Sequence, residues 1–107
     1  MQFDDLKNGI KGIAIDDLRE ESQDYFEAVI MKEELEKIVN RLEKFLGLPA
    51  RPSKAKLSSQ IEGAIKEYGG IGPGQTLYFS KLDNRNVFAM LWPWSDGNHI
   101  TLKIIQQ

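Results

Sequence analysis

The C-terminal third of the chain constrains the fold most, because it has the pattern of three consecutive antiparallel strands. Three runs rich in β-branched and aromatic residues are separated by two polar segments, 83–86 and 95–98. The second segment contains Asp96-Gly97, a dipeptide typical of tight hairpin turns. The sequence therefore predicts a meander of three strands, Thr76–Leu82, Asn86–Trp94 and His99–Gln106.

Alternation along these strands predicts that both faces of the sheet are apolar. A two-residue turn at Asp96-Gly97 pairs Trp94 with His99, and a four-residue loop at 83–86 pairs Leu82 with Val87. One face then carries Leu77, Phe79, Lys81, Phe88, Met90, Trp92, Trp94, His99, Thr101, Lys103 and Ile105. The opposite face carries a second apolar set. Because neither face has the polar alternation of a solvated sheet, both need a covering layer.

Residues 17–46 allow two interpretations. The run Tyr25–Met31 is rich in aromatic and β-branched residues, which favours a buried strand at 24–30 followed by a helix at 32–46. The pattern Asp17-Leu18-Arg19-Glu20 is typical of a helix start and favours one long helix from 17 to 46 instead. We prefer the strand and the helix.

The rest of the chain predicts short elements before this region and one helix after it. Residues 1–12 predict a helical turn or loop, 12–16 a short strand, and 1–16 as a whole a loosely ordered N-terminal segment. A second amphipathic helix is predicted at Leu57–Tyr68, ended by Gly69-Gly70. Helices that precede a run of strands indicate an α+β fold with an antiparallel sheet. We expect a single domain, 1–107, with two amphipathic helices packed on one sheet face.

Size and composition exclude several classes of protein. The chain has 107 residues and no cysteine, so it has no disulfide framework and no thiolate nucleophile or ligand. It has neither an apolar run long enough to span a membrane nor a signal pattern, so we expect a cytoplasmic protein without membrane contact. Residues 1–34 hold ten acids against four bases, although the net charge of the whole chain is only −2. These acids either attract the basic remainder within the fold or form an acidic surface for a basic partner.

Three motifs are disfavoured as catalytic or ligand sites when their context is considered. The glycine-rich segment Gly69–Thr76 has the spacing of a phosphate-binding loop, but it follows a helix, precedes a strand and lacks the lysine. The linker Ala50–Lys56 is basic through Arg51, Lys54 and Lys56, yet it has no interleaved aromatic residues, so nucleic acid is a disfavoured partner. His99 is the single histidine, and nothing in the sequence gives it further metal ligands. We predict no catalytic residue, metal or cofactor.

The aromatic residues of the predicted meander are the strongest functional signal. Trp92-Pro93-Trp94 and its neighbours form a patch of the composition found at the centres of protein interfaces. The candidate partner-binding residues are Phe79, Phe88, Met90, Trp92, Trp94, His99 and Lys103. We therefore expect a small non-enzymatic binding or assembly module that meets a protein partner or a second copy of itself. The alternative is a small-ligand protein or enzyme with a pocket near the glycine-rich connection 69–76 and His99.

Overall fold

The computed structural model describes residues 2–13, 15–47, 59–70, 74–82 and 84–107. The described elements form an α+β fold with a five-stranded antiparallel sheet in the order β1-β2-β5-β4-β3. The elements are α1 Gln2–Lys11, β1 Asp17–Glu21, β2 Tyr25–Met31, a 3₁₀ turn Lys32–Glu34, α2 Leu35–Leu46, α3 Ser59–Glu67, β3 Thr76–Leu82, β4 Arg85–Pro93 and β5 His99–Gln106.

The predicted C-terminal meander is confirmed, with one change of register. Trp92 pairs with Thr101 as expected, and the backbone N–H of Trp94 donates to the carbonyl of His99 at 2.8 Å. The first hairpin is tighter than expected, because Leu82 pairs with Arg85 rather than with Val87. Asn84 supports this turn at φ 65°, a left-handed conformation that asparagine tolerates better than most residues. The shift is two residues, so every side chain keeps its predicted face.

The strand at 24–30 and the following helix are confirmed, and the single long helix is wrong. β2 pairs along its whole length with β5, from Tyr25 opposite Ile105 to Met31 opposite His99. Aromatic and β-branched side chains pack well against the neighbours that this pairing provides, so the run is more favourable as a strand than as part of a helix. The charged segment Asp17–Glu21 is likewise a strand, β1, and does not begin a helix. It has an irregularity between Leu18 and Glu20 and exposes every residue, both typical of a protected sheet edge.

The first 16 residues are more regular than the sequence indicated. They form a ten-residue helix, α1, in place of a turn or loop, and Phe3, Leu6 and Ile10 are buried along one side of it. Burial of these three side chains compensates for the weak helix propensity of Gly9, since tertiary packing commonly overrides local propensity. The short strand expected at 12–16 is also wrong. Gly12 follows α1 directly and its N–H donates to the Asn8 carbonyl at 3.1 Å, whereas ladder pairing with β2 begins where the Asp16 N–H donates to the Val29 carbonyl at 2.9 Å.

The helices cover opposite faces of the sheet, which corrects the expectation that the two predicted helices share one face. On the first face, α1 and α2 enclose a core with the sheet residues Phe26, Ala28, Ile30, Tyr78, Val87, Ala89, Leu91, Ile100, Leu102 and Ile104. On the second face, Ile65 of α3 packs with Leu77, Phe88, Met90 and Ile105. The physical reason is the one that the sequence already contained: both faces are apolar, and one layer of helices covers only one of them.

The helix α3 ends at Gly69-Gly70, as expected. The N–H of Gly69 donates to the Lys66 carbonyl at 3.1 Å and that of Gly70 to the Ile65 carbonyl at 3.0 Å, the paired bonds of a Schellman motif. Both glycines have positive φ, 110° and 75°. The predicted start of this helix, Leu57 and Ser58, lies outside the described residues. Among the helices that the structure describes, none combines the length and apolarity needed to cross a membrane.

Candidate partner-binding surface

The seven candidate binding residues all lie on the second face, but α3 covers the centre of that face. Phe88 and Met90 are 1% and 0% exposed and belong to the core beneath α3. Phe79, Trp92, His99 and Lys103 are partly buried. Trp94 is 38% exposed. The part of the predicted patch that a partner can reach is therefore its Trp94 end, and the centre would become reachable only if α3 moved away.

Lys103 contacts the C-terminal end of α3, so its ammonium group is not free at the edge of the aromatic patch. Its ammonium group donates to the carbonyl of Tyr68 at 3.3 Å and lies 4.0 Å from the ring centroid of Trp92. The first contact satisfies a helix carbonyl and the second is a cation–π interaction. The Tyr68 ring stacks on the ring of Tyr25 with centroids 5.9 Å apart. Lys103, Trp92 and Tyr25 thus hold α3 on the sheet.

Side-chain hydrogen bonds position the Trp94 end of the second face. We call this region the open end and define it by Trp94, His99, Thr101, Asp16 and Asp96. The indole Nε1–H of Trp94 donates to Thr101 Oγ1 at 2.8 Å, and its ring packs against the His99 ring at 4.9 Å. His99 Nδ1 lies 2.5 Å from a carboxylate oxygen of Asp96, and Nε2 lies 3.6 Å from one of Asp16. The two rings are therefore oriented before any partner arrives.

Asp96 holds this arrangement through the tight turn between β4 and β5. Its carboxylate accepts the backbone N–H groups of Asn98 at 2.8 Å and His99 at 3.1 Å. These hydrogen bonds favour the charged form, so the Asn98 N–H, then the His99 side chain, lower the pKa of Asp96 below its usual range. Gly97 provides the positive φ of 74° that the turn requires. The turn itself thus keeps a carboxylate ionised beside Trp94 and His99.

The second face is acidic between the open end and the sheet edge β1. Glu27 pairs in register with Lys103, but the Lys103 ammonium group turns away toward Trp92 and Tyr68. Glu27 instead accepts the Tyr25 hydroxyl at 2.5 Å; burial, and next this carboxylate, raise the pKa of Tyr25. Asp17 has a cationic partner, Arg19, at 2.6 Å. Acids therefore outnumber available cations around the open end, as an acidic surface for a basic partner requires.

The alternative, that these acids attract the basic remainder of the chain, applies to part of them. Asp24 bonds to Arg85 at 3.2 Å, which joins the N-terminal segment to β4. Glu21 instead pairs with Lys7 at 3.7 Å and with Lys11, both within residues 1–34. The acidic excess of the N-terminal segment is therefore only partly neutralised by the remainder.

A small cleft adjoins the open end on the side of α2. Its volume is about 190 Å³, and it is lined by Lys32, Leu35, Pro93, Trp94, Gly97, His99 and Ile100. Pockets for drug-sized ligands usually measure roughly 300–1,000 Å³. The cleft is thus better matched to one inserted side chain than to a whole small molecule.

This cleft differs from the pocket expected between His99 and the glycine-rich connection. None of its lining residues comes from the described part of the connection, 69–70 and 74–76. Tyr78, a further candidate for that pocket, is 1% exposed on the first face, away from His99. Burial, and next Glu43, raise the pKa of Tyr78 to about 12, so its hydroxyl is a poor acid–base group near neutral pH. Residues 71–73 of the connection and the basic linker residues Arg51, Lys54 and Lys56 lie outside the described residues.

Sequence reasoning did not assign Asp16 and Leu35 to the site. Asp16 reaches His99 because β1 pairs with β2 and β2 with β5, a strand order that no local pattern encodes. Leu35 packs against the core of the first face, so its place in the cleft depends on how α2 docks on the sheet. Within the ranges described above, no cluster of three or more carboxylate or histidine side chains could hold a metal ion. No protein-family model, curated protein or solved structure matches the chain.

Proposed function

We propose that this chain is a small non-enzymatic binding module whose open end recognises a protein partner that presents basic side chains. One observation carries the proposal: Trp94 is 38% exposed and yet fixed by its hydrogen bond to Thr101 and its contact with His99. Leu18 and Trp94 are the large apolar residues that remain exposed among the described ones, and only Trp94 is held in this way.

An exposed tryptophan whose side chain is already held in place suits recognition, because little side-chain conformational entropy is lost when a partner binds. Tryptophan is enriched among the residues that dominate binding energy, and association normally loses roughly 0.5–1.5 kcal/mol for each side chain that it immobilises. The hydrogen bond to Thr101 already restricts the indole ring in the free protein, so much of that entropy is lost before the partner binds. The adjoining cleft can receive one side chain of the partner beside the indole ring.

Charge supports a basic partner. Asp96 and Asp16 flank His99 at the open end, and Glu27 lies on the same face, where no cation among the described residues pairs with it. A lysine or arginine of the partner would meet both these carboxylates and the indole ring, and tryptophan is the best aromatic acceptor of cation–π contacts. Complementary charge of this kind acts mainly on association rate and specificity.

The test measures binding of a nona-arginine peptide by Trp94 fluorescence. Trp92→Phe leaves Trp94 as the single tryptophan and serves as the reporter background. Trp94→Ala is expected to lose peptide binding. Binding by this variant is measured by calorimetry, because it lacks the fluorescent reporter. The matched control, Leu18→Ala, removes the other exposed large apolar side chain and should bind like the wild type. Equal binding by Trp94→Ala would contradict the proposal.

Two further measurements make this test decisive. Circular dichroism and urea unfolding should show that Trp94→Ala stays folded, because the loss is one partly exposed ring and one hydrogen bond of about 1 kcal/mol. Sedimentation equilibrium across a concentration series separates a foreign partner from a second copy of the chain. A dimer that dissociates on Trp94→Ala would replace the proposed basic partner with self-association.

A further inference from the structure

A second candidate site lies on α2, away from the open end. A groove of about 340 Å³ is lined by Ile13, Lys37, Asn40, Arg41 and Lys44. The three cations are spaced i, i+4 and i+7, so they align on the solvent side of the helix, and the chain after α1 supplies Ile13 as the apolar wall. Only the docking of α1 against α2 makes that side concave.

The central cation, Arg41, packs its side chain across α1. The side chain of Arg41 crosses Gly9 of α1, where its Cδ lies 3.4 Å from the position that a Cβ would occupy. Lys37 pairs with Glu34 at 3.3 Å at one end of the groove. In the part of the chain that the structure describes, no carboxylate lies within ion-pair distance of Arg41 or Lys44. Two of the three positive charges are thus available to a ligand.

We propose that this groove binds the phosphoryl groups of a multiply charged ligand. The guanidinium group of Arg41 matches two phosphate oxygens with paired N–H donors, and the Lys37 and Lys44 ammonium groups add flanking charge. Asn40 adds an amide donor, and Ile13 offers an apolar contact for the organic part of the ligand. The groove volume falls within the roughly 300–1,000 Å³ of small-molecule sites. Free phosphorylated molecules and a nucleic-acid backbone share this chemistry.

The experiment titrates inorganic pyrophosphate into the ¹⁵N-labelled full chain at about 10 mM ionic strength, where screening is weak. The expected result is a saturable set of amide shifts at residues 37–44 and at Ile13. Arg41→Gln with Lys44→Gln should weaken binding roughly tenfold or more, since each charge-assisted hydrogen bond is a strong one. The matched control, Lys66→Gln with Lys81→Gln, removes the same charge from exposed positions outside the groove and should bind like the wild type.

A parallel titration with a twelve-residue oligothymidylate distinguishes the two sources of phosphate. Tighter binding of the oligonucleotide, with a steep loss on added salt, would assign the groove to a nucleic-acid backbone. Equal or tighter binding of pyrophosphate would assign it to free phosphorylated molecules. Absence of groove shifts with both probes, or unchanged binding by the Arg41 and Lys44 double variant, would overturn the proposal. The result is independent of the Trp94 surface.

Discussion

Replacing Gly69 with alanine should destabilise the protein strongly, because this residue has both an unfavourable backbone conformation and a close neighbour. Gly69 has φ of 110°. A Cβ at this position would lie 2.6 Å from Cη2 and 3.1 Å from Cζ2 of Trp92. The indole ring cannot easily retreat, since Lys103 lies over it at 4.0 Å.

The expected cost has two contributions. A left-handed conformation costs an L-residue roughly 1–2 kcal/mol. Overpacking a well-filled site costs typically about 1–3 kcal/mol more. The free energy of unfolding should therefore fall by about 2–5 kcal/mol, a large part of the roughly 5–15 kcal/mol of an ordinary domain.

Urea unfolding measures this loss, and Gly70→Ala is the matched control. Gly70 also has positive φ, 75°, but apart from its chain neighbours no atom of the described residues lies within 4 Å of its Cβ position. It should show the backbone cost alone, whereas Gly69→Ala shows the contact with Trp92 as well. At m-values of roughly 1–3 kcal/mol/M, a loss of about 3 kcal/mol lowers the midpoint by about 1–3 M.

A double variant isolates the contact itself. Trp92→Phe removes the outer ring that carries Cη2 and Cζ2, so Gly69→Ala should cost less in that background. The resulting interaction energy between two touching residues is expected at roughly 0.5–3 kcal/mol. Equal losses for Gly69→Ala and Gly70→Ala would refute the reasoning, and with it the close packing of α3 against Trp92.

Two pH-dependent predictions follow from the ion pairs and buried hydroxyls. The Lys11 ammonium group lowers the pKa of Glu21 below 4.5, so this ion pair stabilises the fold above that pH and its contribution is lost as the pH falls. The urea midpoints at pH 6 and pH 3 should therefore differ less in Glu21→Gln than in the wild type. Adding 1 M salt should also narrow the difference between the two midpoints of the wild type. Burial raises the pKa of Tyr78 to about 12, so the contribution of its hydroxyl to the free energy of unfolding is complete below about pH 10 and is lost between pH 10 and 12. Tyr78→Phe should therefore lose less stability than the wild type between pH 8 and 11. An equal loss in both proteins would contradict the buried placement of this hydroxyl.

Much of the candidate partner-binding surface is encoded by local sequence patterns. The Asp96-Gly97 turn and two-residue alternation bring Trp94 and His99 together, and the observed pairing agrees with that register. Exposure was not encoded in this way. Phe88 and Trp94 are both aromatic residues at alternating positions on the same sheet face, yet Phe88 is buried under α3 and Trp94 is exposed. The alternation specifies which side chains share a face, whereas the position of a covering helix depends on distant contacts.

Local sequence patterns account for the strands β2 to β5, the helix α2, the stop at Gly69-Gly70 and the apolar character of both sheet faces. These features depend on turn chemistry and on periods of two and 3.6 residues, which act over short distances along the chain. The tertiary structure alone decided that α1 is a helix, that α2 and α3 cover opposite faces, and that Asp16 meets His99. Burial of apolar surface is favourable and non-directional, so an apolar face demands a cover without specifying which segment supplies it.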